Sequence, residues 1–487
     1  MLRAMTRRLP VVLFLAFLCV PAVAWAGEEA LDLEGLIGTR WYGVYMLDRK
    51  IGYACMTTEL SELDGAPVIS ETVRAPLLML IGGQRLLVRL EYREVHEADP
   101  PYRLIAGEHS ERTRQSTSHF RAQREGDEFL VTRVLHGRTT TQRVPASKAT
   151  LRDRLAVECL VARGAQPGDE VSYLEFDEDE LADVERTATL AEVVEEEWGG
   201  QLRRVFVVEV HAPDGARTER HLEDGTLIGV SFGKAMTFRL EDEATARKMP
   251  TETELFELRR HIPFEAEIRK PEALAELKLA ITGMPDGVLP ELPTQRVEKR
   301  EDGTLIVTLT RSAVPDEPSV TDEDRERLAE HLEATDEIQA DHERIRSRAR
   351  RIVRRKRDCL EQARAICRWV HRHVEGTAFS DYETALDVLI HLEGDCTEMT
   401  LLFIGLCRAA GLPARRVSGL AYAGPAERAF AMHAWAQVYV GEWVDVDPAF
   451  NQFPAAATHI TLDTEGDRWF DLLAAFDDIR IELISAE

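Results

Sequence analysis

Cysteine is scarce in this sequence, with seven in 487 residues. Such sparseness excludes a fold built on disulfides, and spacing excludes most individual pairs as well. Cys359 and Cys367, like Cys396 and Cys407, lie on segments that read as helices, where their separations correspond to about 12 and 16 Å along a straight axis. Neither pair can bridge. Only Cys55 with Cys159 stays open as a disulfide.

Positive charge is also in short supply: 60 Lys and Arg stand against 86 Asp and Glu, a formal net charge of −26. Nucleic acid is therefore not an expected partner. One stretch runs against the acidic background, Arg344 to Arg357, where nine of fourteen residues are basic. It reads as a solvated helix face that pairs with neighbouring acids, the alternative being attachment to an anionic envelope surface or to an acidic face of the same protein.

Long apolar runs are missing except near the start. Arg3, Arg7 and Arg8 precede the apolar stretch Pro10 to Val20, and Ala24-Trp25-Ala26 offers a small-x-small cleavage site. Residues 1–26 read as a secretory signal peptide, too short and too broken by Pro21 for a span. The expected setting is secreted or periplasmic, with no stable membrane span after cleavage. Removing three arginines and no acid makes the mature chain more acidic still.

What remains is ordinary for folded protein, with 44% hydrophobic and 30% charged residues, and long enough for several domains. From about residue 38 to 245 short segments with strand-like alternation dominate: Trp41 to Leu47, Ile51 to Leu60, Leu86 to Val95, Glu128 to Leu135, Arg203 to Val210 and Met236 to Leu240. Turns at Asp48-Arg49-Lys50 and Asp224-Gly225 suggest hairpins. Residues 27–250 are thus expected to form a large antiparallel β domain. Strands at Leu277 to Ile281 and Thr304 to Leu309 suggest a small β module over 251–318, and the Pro315–Pro318 punctuation opens a last domain, 319–487.

That last domain holds the residues with chemical promise. Asp395-Cys396-Thr397-Glu398 precedes apolar residues at helical spacing, Met399, Leu402, Phe403, Leu406 and Ala410, which Gly411 and Pro413 end. Asp395 as N-cap and Glu398 three residues later make a capping box, placing Cys396 at the first helical position. Free amides and the helix dipole favour an anion there, so a lowered thiol pKa and a nucleophilic role are expected.

The segment Ala431 to Val440 alternates as a strand, with His433, Trp435, Gln437 and Tyr439 on one face. A general base can sit beside an indole in a partly dry cleft. After Gly441-Glu442 comes Trp443 to Pro448, the next antiparallel strand, with Asp445 and Asp447 on one face. Either can orient an imidazole, and period alone does not choose between them.

The three motifs, Gly394-Asp395-Cys396-x-Glu398, His433-Ala-Trp435 and Trp443 through Asp447-Pro448, in that order resemble the transglutaminase-like superfamily, whose catalytic core is papain-like. The resemblance runs from Trp369 to Ile460 and includes Arg408 to Arg415 and Ala457-Thr458-His459-Ile460. It implies a helix bearing the cysteine packed on an antiparallel sheet, and a triad of Cys396, His433 and Asp447, because the family's aspartate directly precedes the proline. The fold class expected is therefore multidomain, with a β-rich N-terminal half followed by an α+β papain-like core. The opening Trp41-Tyr-Gly-Val-Tyr45, with Lys50-Ile-Gly-Tyr53 and Gly225-Thr-Leu227, resembles β-rich extracytoplasmic domains that precede bacterial transglutaminase-like domains.

The chemistry implied is thiol-dependent acyl transfer on protein or peptide amides, with hydrolysis favoured and protein cross-linking the alternative. A catalytically idle envelope binding protein is the rival from another class. The Cys396 amide is one expected oxyanion donor, while Trp369 and Tyr382 are candidates for the second. His459 reads as a structural histidine without an acidic neighbour. Cys367, His371 and His373 do not gather as zinc ligands, no calcium loop is visible, and neither metal nor cofactor is expected. Oligomeric state is left open.

Overall fold

The computed structural model describes residues 31–487 except 32, 82–83, 114–116, 136–137, 213–214, 252, 259–260, 378–381, 383 and 464–467. The expected signal segment lies outside the described residues. Among those described, no helix is long and apolar enough to cross a membrane. The chain divides into two compact units, one ending at Leu258 and one beginning at Arg259.

The first unit is β-rich and antiparallel. Its strands are β1 (Gly38–Met46), β2 (Arg49–Leu63), β3 (Ala66–Ile81), β4 (Gln84–Glu97), β5 (Leu104–Arg112), β6 (Thr117–Glu125), β7 (Glu128–Leu135), β8 (Arg138–Pro145), β9 (Glu170–Asp177), β10 (Ala182–Trp198), β11 (Gln201–Ala212), β12 (Gly215–Leu222), β13 (Leu227–Phe232) and β14 (Met236–Glu241), with a short β15 (Glu257–Leu258). Two meanders, β1 to β8 and β9 to β14, join through pairing of β1 with β14. The first turn sits slightly earlier than the sequence suggests. Met46 pairs with Arg49, and Leu47 and Asp48 between them both have positive φ, as a two-residue type I′ hairpin requires. Cys55 and Cys159 are free thiols. Cys55 sits on β2 opposite Trp41 and Arg74, whereas Cys159 packs with Ile69, Leu151 and Leu155, so nothing joins them.

The second unit is α+β. One sheet contains β16 (His261–Pro263), β22 (Ala414–Tyr422), β23 (Ala429–Tyr439), β24 (Trp443–Val446) and β25 (His459–Thr461); a second contains β17 (Glu276–Thr282), β18 (Gln295–Lys299), β19 (Leu305–Thr310) and β26 (Arg480–Ala486). A two-residue parallel bridge joins β20 (Glu375–Gly376) to β21 (Glu393–Gly394). Residues of the expected 251–318 module thus supply β17 to β19, and the chain's last strand completes that sheet.

Four helices, α1 (Glu343–Val353), α2 (Cys359–His373), α3 (Ala385–His391) and α4 (Cys396–Ala409), accompany the first sheet of this unit, with α4 packed on the sheet and the other three around α4. Helix α4 is the pivot. Every residue from Thr397 to Cys407 is buried, because β22 and β23 cover one side and α1, α2 and α3 the others. Small and branched residues on β23, Ala436 and Val438, face Leu402, Phe403 and Leu406 in one apolar core. A helix apolar all round is stable only when enclosed in this way. The basic stretch forms α1 and its exit: Ile345 and Ala349 face inward while Arg344, Arg346, Arg350 and Arg351 are exposed.

Candidate active site

Helix α4 begins as its sequence requires. Asp395 is the N-cap and accepts from Thr397 N–H at 2.7 Å, while Glu398 Oε2 accepts from Asp395 N–H at 2.7 Å. Cys396 is therefore the first helical residue, partly exposed, with the helix's amide end around its thiol. The buried Glu398 carboxyl is pushed up to about 9 by desolvation, with the Asp395 charge adding. A neutral side chain consequently lies under the cysteine, where a second carboxylate would repel a thiolate. At Gly394 a Cβ would stand 2.5 Å from Glu398 Cβ, so this tight start needs glycine.

The other five described cysteines are held above the ordinary thiol range. Burial is the main cause for each, reaching about 11 at Cys159 and about 12 at Cys367. Such thiols stay protonated and inert near neutrality.

Strand β23 brings His433 to the start of α4. Thr400 Oγ1 donates to Ala434 O at 3.2 Å, pinning the helix one residue from the histidine. The His433 side chain is 8% exposed and its Nε2 lies 2.7 Å from Asp447 Oδ2. Cys396 is its other charged neighbour, close enough to couple to it electrostatically. Burial disfavours the imidazolium, yet the Asp447 and Cys396 charges outweigh it and hold His433 well above the ordinary histidine range. Asp447 is completely buried, which by itself favours the neutral acid, but the two neighbouring histidines drive its carboxyl far below the usual range.

Asp445, the other aspartate of that segment, is occupied elsewhere. It accepts from Trp435 Nε1 at 3.1 Å, Gln437 Nε2 at 3.0 Å and Ser312 Oγ at 2.6 Å. The cleft expected beside Trp435 is closed, since the indole is only 1% exposed and rests on Gly419.

Two residues near this centre escape the sequence reading. Phe450 stacks on His433 at 4.7 Å between ring centroids while remaining 41% exposed, and its N–H donates to Asp447 Oδ1 at 2.9 Å. His459 was expected to lack an acidic neighbour, yet its Nε2 lies 2.9 Å from the same Asp447 Oδ2 that meets His433. The chain reverses after β24 and returns as β25, a tertiary closure with no periodic signature. The one available signal was the Ala457 to Ile460 segment within the family resemblance.

His433, Asp447 and His459 have their donor atoms within 4.8 Å of one another. Around a tetrahedral zinc with bonds of about 2.0 Å, nitrogen and oxygen would stand about 3.3 Å apart. Contacts of 2.7 and 2.9 Å to a single oxygen are instead those of hydrogen bonds. His371 turns to Ala449 O and His373 to Trp369 O, so neither joins Cys367. Of the two oxyanion candidates, Trp369 stacks on His373 and Tyr382 on His391.

A helix-start thiol packed on an antiparallel sheet that carries a histidine and an aspartate is the core of a papain-like, transglutaminase-like domain. Residues 346–448 match the family model of the transglutaminase-like superfamily, and this part of the chain is a domain of that superfamily. No curated protein matches the chain. Among solved structures, a proposed cysteine protease from Cytophaga hutchinsonii is similar, at 16% identity and TM-score 0.28, covering 44% of this chain and 85% of that one. The periplasmic domain of TgpA from Pseudomonas aeruginosa is similar at 18% identity and TM-score 0.28, covering 40% and 90%. A β-barrel-like protein of unknown function from Brucella abortus shares 12% identity at TM-score 0.29, covering 42% and 97%.

Proposed function

We propose that Cys396, His433 and Asp447 are the nucleophile, general base and orienting carboxylate of a thiol-dependent acyl transferase acting on amides, with water as the usual acceptor. The observation that carries this reading is a buried carboxylate 2.7 Å from His433 Nε2, which orients an imidazole that couples electrostatically to the helix-start thiol of Cys396. The Cys396 thiolate attacks the amide carbonyl, and the oxyanion forms beside the amides that open α4. His433 gives its proton to the leaving amine as the C–N bond breaks, leaving a thioester. Water, deprotonated by His433, then attacks the thioester carbonyl, releasing the acid and restoring the thiol.

A lysine amine in place of that water would give cross-linking instead. The N-terminal segment read as a signal peptide supports an envelope or external setting, hence protein or peptide amides found there. The test is selective alkylation near neutral pH, with peptide mapping. Modification concentrated at Cys396, abolished in Cys396→Ala and slowed in His433→Ala, supports the triad; uniform or absent labelling sinks it. Peptide cleavage run beside labelled-amine incorporation assigns the acceptor.

A further inference from the structure

His459 is a second histidine on the carboxylate that orients the first. Its strand is clamped from both sides: Gln295 accepts from Thr461 N–H at 2.8 Å and donates to Thr461 O at 2.9 Å, and Tyr422 N–H donates to Thr458 O. The ring is nearly enclosed, packed edge-on against Trp435 at 5.0 Å. Its two nitrogens face acceptors only, Asp447 Oδ2 at 2.9 Å and Ala456 O at 3.0 Å. A carbonyl and a carboxylate cannot donate, so both contacts are hydrogen bonds only when both ring nitrogens carry hydrogen. The Asp447 carboxylate then lies between two imidazolium rings in the buried part of the site, with the partly exposed Cys396 thiol beyond His433.

We propose that His459 is a positioning residue of the site, a cationic partner that locks the Asp447 carboxylate and weakens its hold on the proton of His433. This rests on the triad proposed above. Asp447 Oδ1 is held by Phe450 N–H, and Oδ2 is shared between the two imidazoles, so the carboxylate cannot rotate away from His433. The second positive charge also keeps the His433 imidazolium from being over-stabilised by Asp447, which preserves it as an acid for the leaving amine. Among the described residues, the titratable groups around His459 are Asp447 and His433, with Cys396 beyond His433 and the Cys367 thiol against Asp447 O; the facing positions of β22 are Gly419, Leu420 and Ala421.

The test is the pH dependence of Cys396 alkylation in wild type and in His459→Gln, which keeps an N–H donor but no charge. Loss of the His433 proton produces the alkaline step of that profile. With ring centroids 5.8 Å apart, removing the His459 charge should move the step upward by about 0.5 to 2 pH units, with little change in melting temperature. An unmoved or lowered step in folded His459→Gln overturns the proposal, because a purely structural histidine would alter stability and leave the step in place. Should that variant not fold, the wild-type protein labelled with 15N-histidine decides. Two protonated ring nitrogens on His459 at pH 7 are expected, and a one-proton tautomer overturns the proposal. A wild-type protein without preferential alkylation at Cys396 is a distinct result that strikes the triad itself.

Discussion

The indole of Trp435 donates to Asp445 Oδ1 at 3.1 Å, and with Gln437 and Ser312 on the same carboxylate this leaves Asp447 alone to face His433. The two aspartates should therefore respond differently. Asp445→Asn weakens three buried hydrogen bonds and should cost about 1–3 kcal/mol of stability, read in thermal melts, while selective Cys396 alkylation persists. Asp447→Asn removes the buried charge that His433 and His459 share, so it should cost at least as much stability and also reduce turnover by about 10²- to 10⁴-fold.

The raised proton affinity of His433 sets an activity limb. Since its imidazolium persists well above pH 6.5, the alkaline fall in turnover should begin clearly above the range of a free imidazole. Stability follows the same sign: the folded state holds this proton more tightly, so the contribution is complete below about 6.5 and is lost as pH rises through the folded-state value. His433→Asn should flatten the alkaline part of a melting temperature against pH curve.

Glu398 gives a second pH signature. Its carboxyl titrates near 9 in the fold, above about 4.3 for a free glutamate. The native state therefore favours the neutral acid, and stability falls as pH rises from about 4.5 towards 9. Glu398→Gln, which keeps an acceptor for Asp395 N–H, should reduce that slope with α4 intact. Glu398→Ala forfeits half the capping box and should cost about 1 kcal/mol.

Phe450 is exposed but stacked on His433. Phe450→Ala should leave melting nearly unchanged and lower turnover by up to about tenfold, the effect expected from losing an aromatic stack of about 0.5–1.5 kcal/mol over the imidazole. A loss no larger than that of a distant surface substitution would sink this role.

Gly419 tests the packing behind the site. A Cβ there would meet Ile460 O at 2.0 Å and Trp435 Cη2 at 2.9 Å. The backbone carbonyl cannot yield without parting β22 from β25, so Gly419→Ala should destabilise by about 1–3 kcal/mol, read by denaturant melts.

Much of this was legible locally. The capping box and apolar spacing after Cys396, the alternation through His433 and the six strand segments in the N-terminal half all depend on contacts within a few residues. Strands such as β10, whose far end carries Glu195, Glu196 and Glu197 exposed to solvent, were not legible, because their stability comes from pairing with β9 and β11 and not from their own composition.

By itself the sequence determined where a helix had to start and which residue its amide end would surround, since capping and periodicity are short-range. It also brought two aspartates to one strand face and stopped there. Only tertiary structure decided between them, through Ser312 arriving 133 residues away to occupy Asp445 and β25 returning to set His459 against Asp447. Those contacts depend on which buried polar group finds its partner when the sheet closes, and neither period nor spacing encodes that.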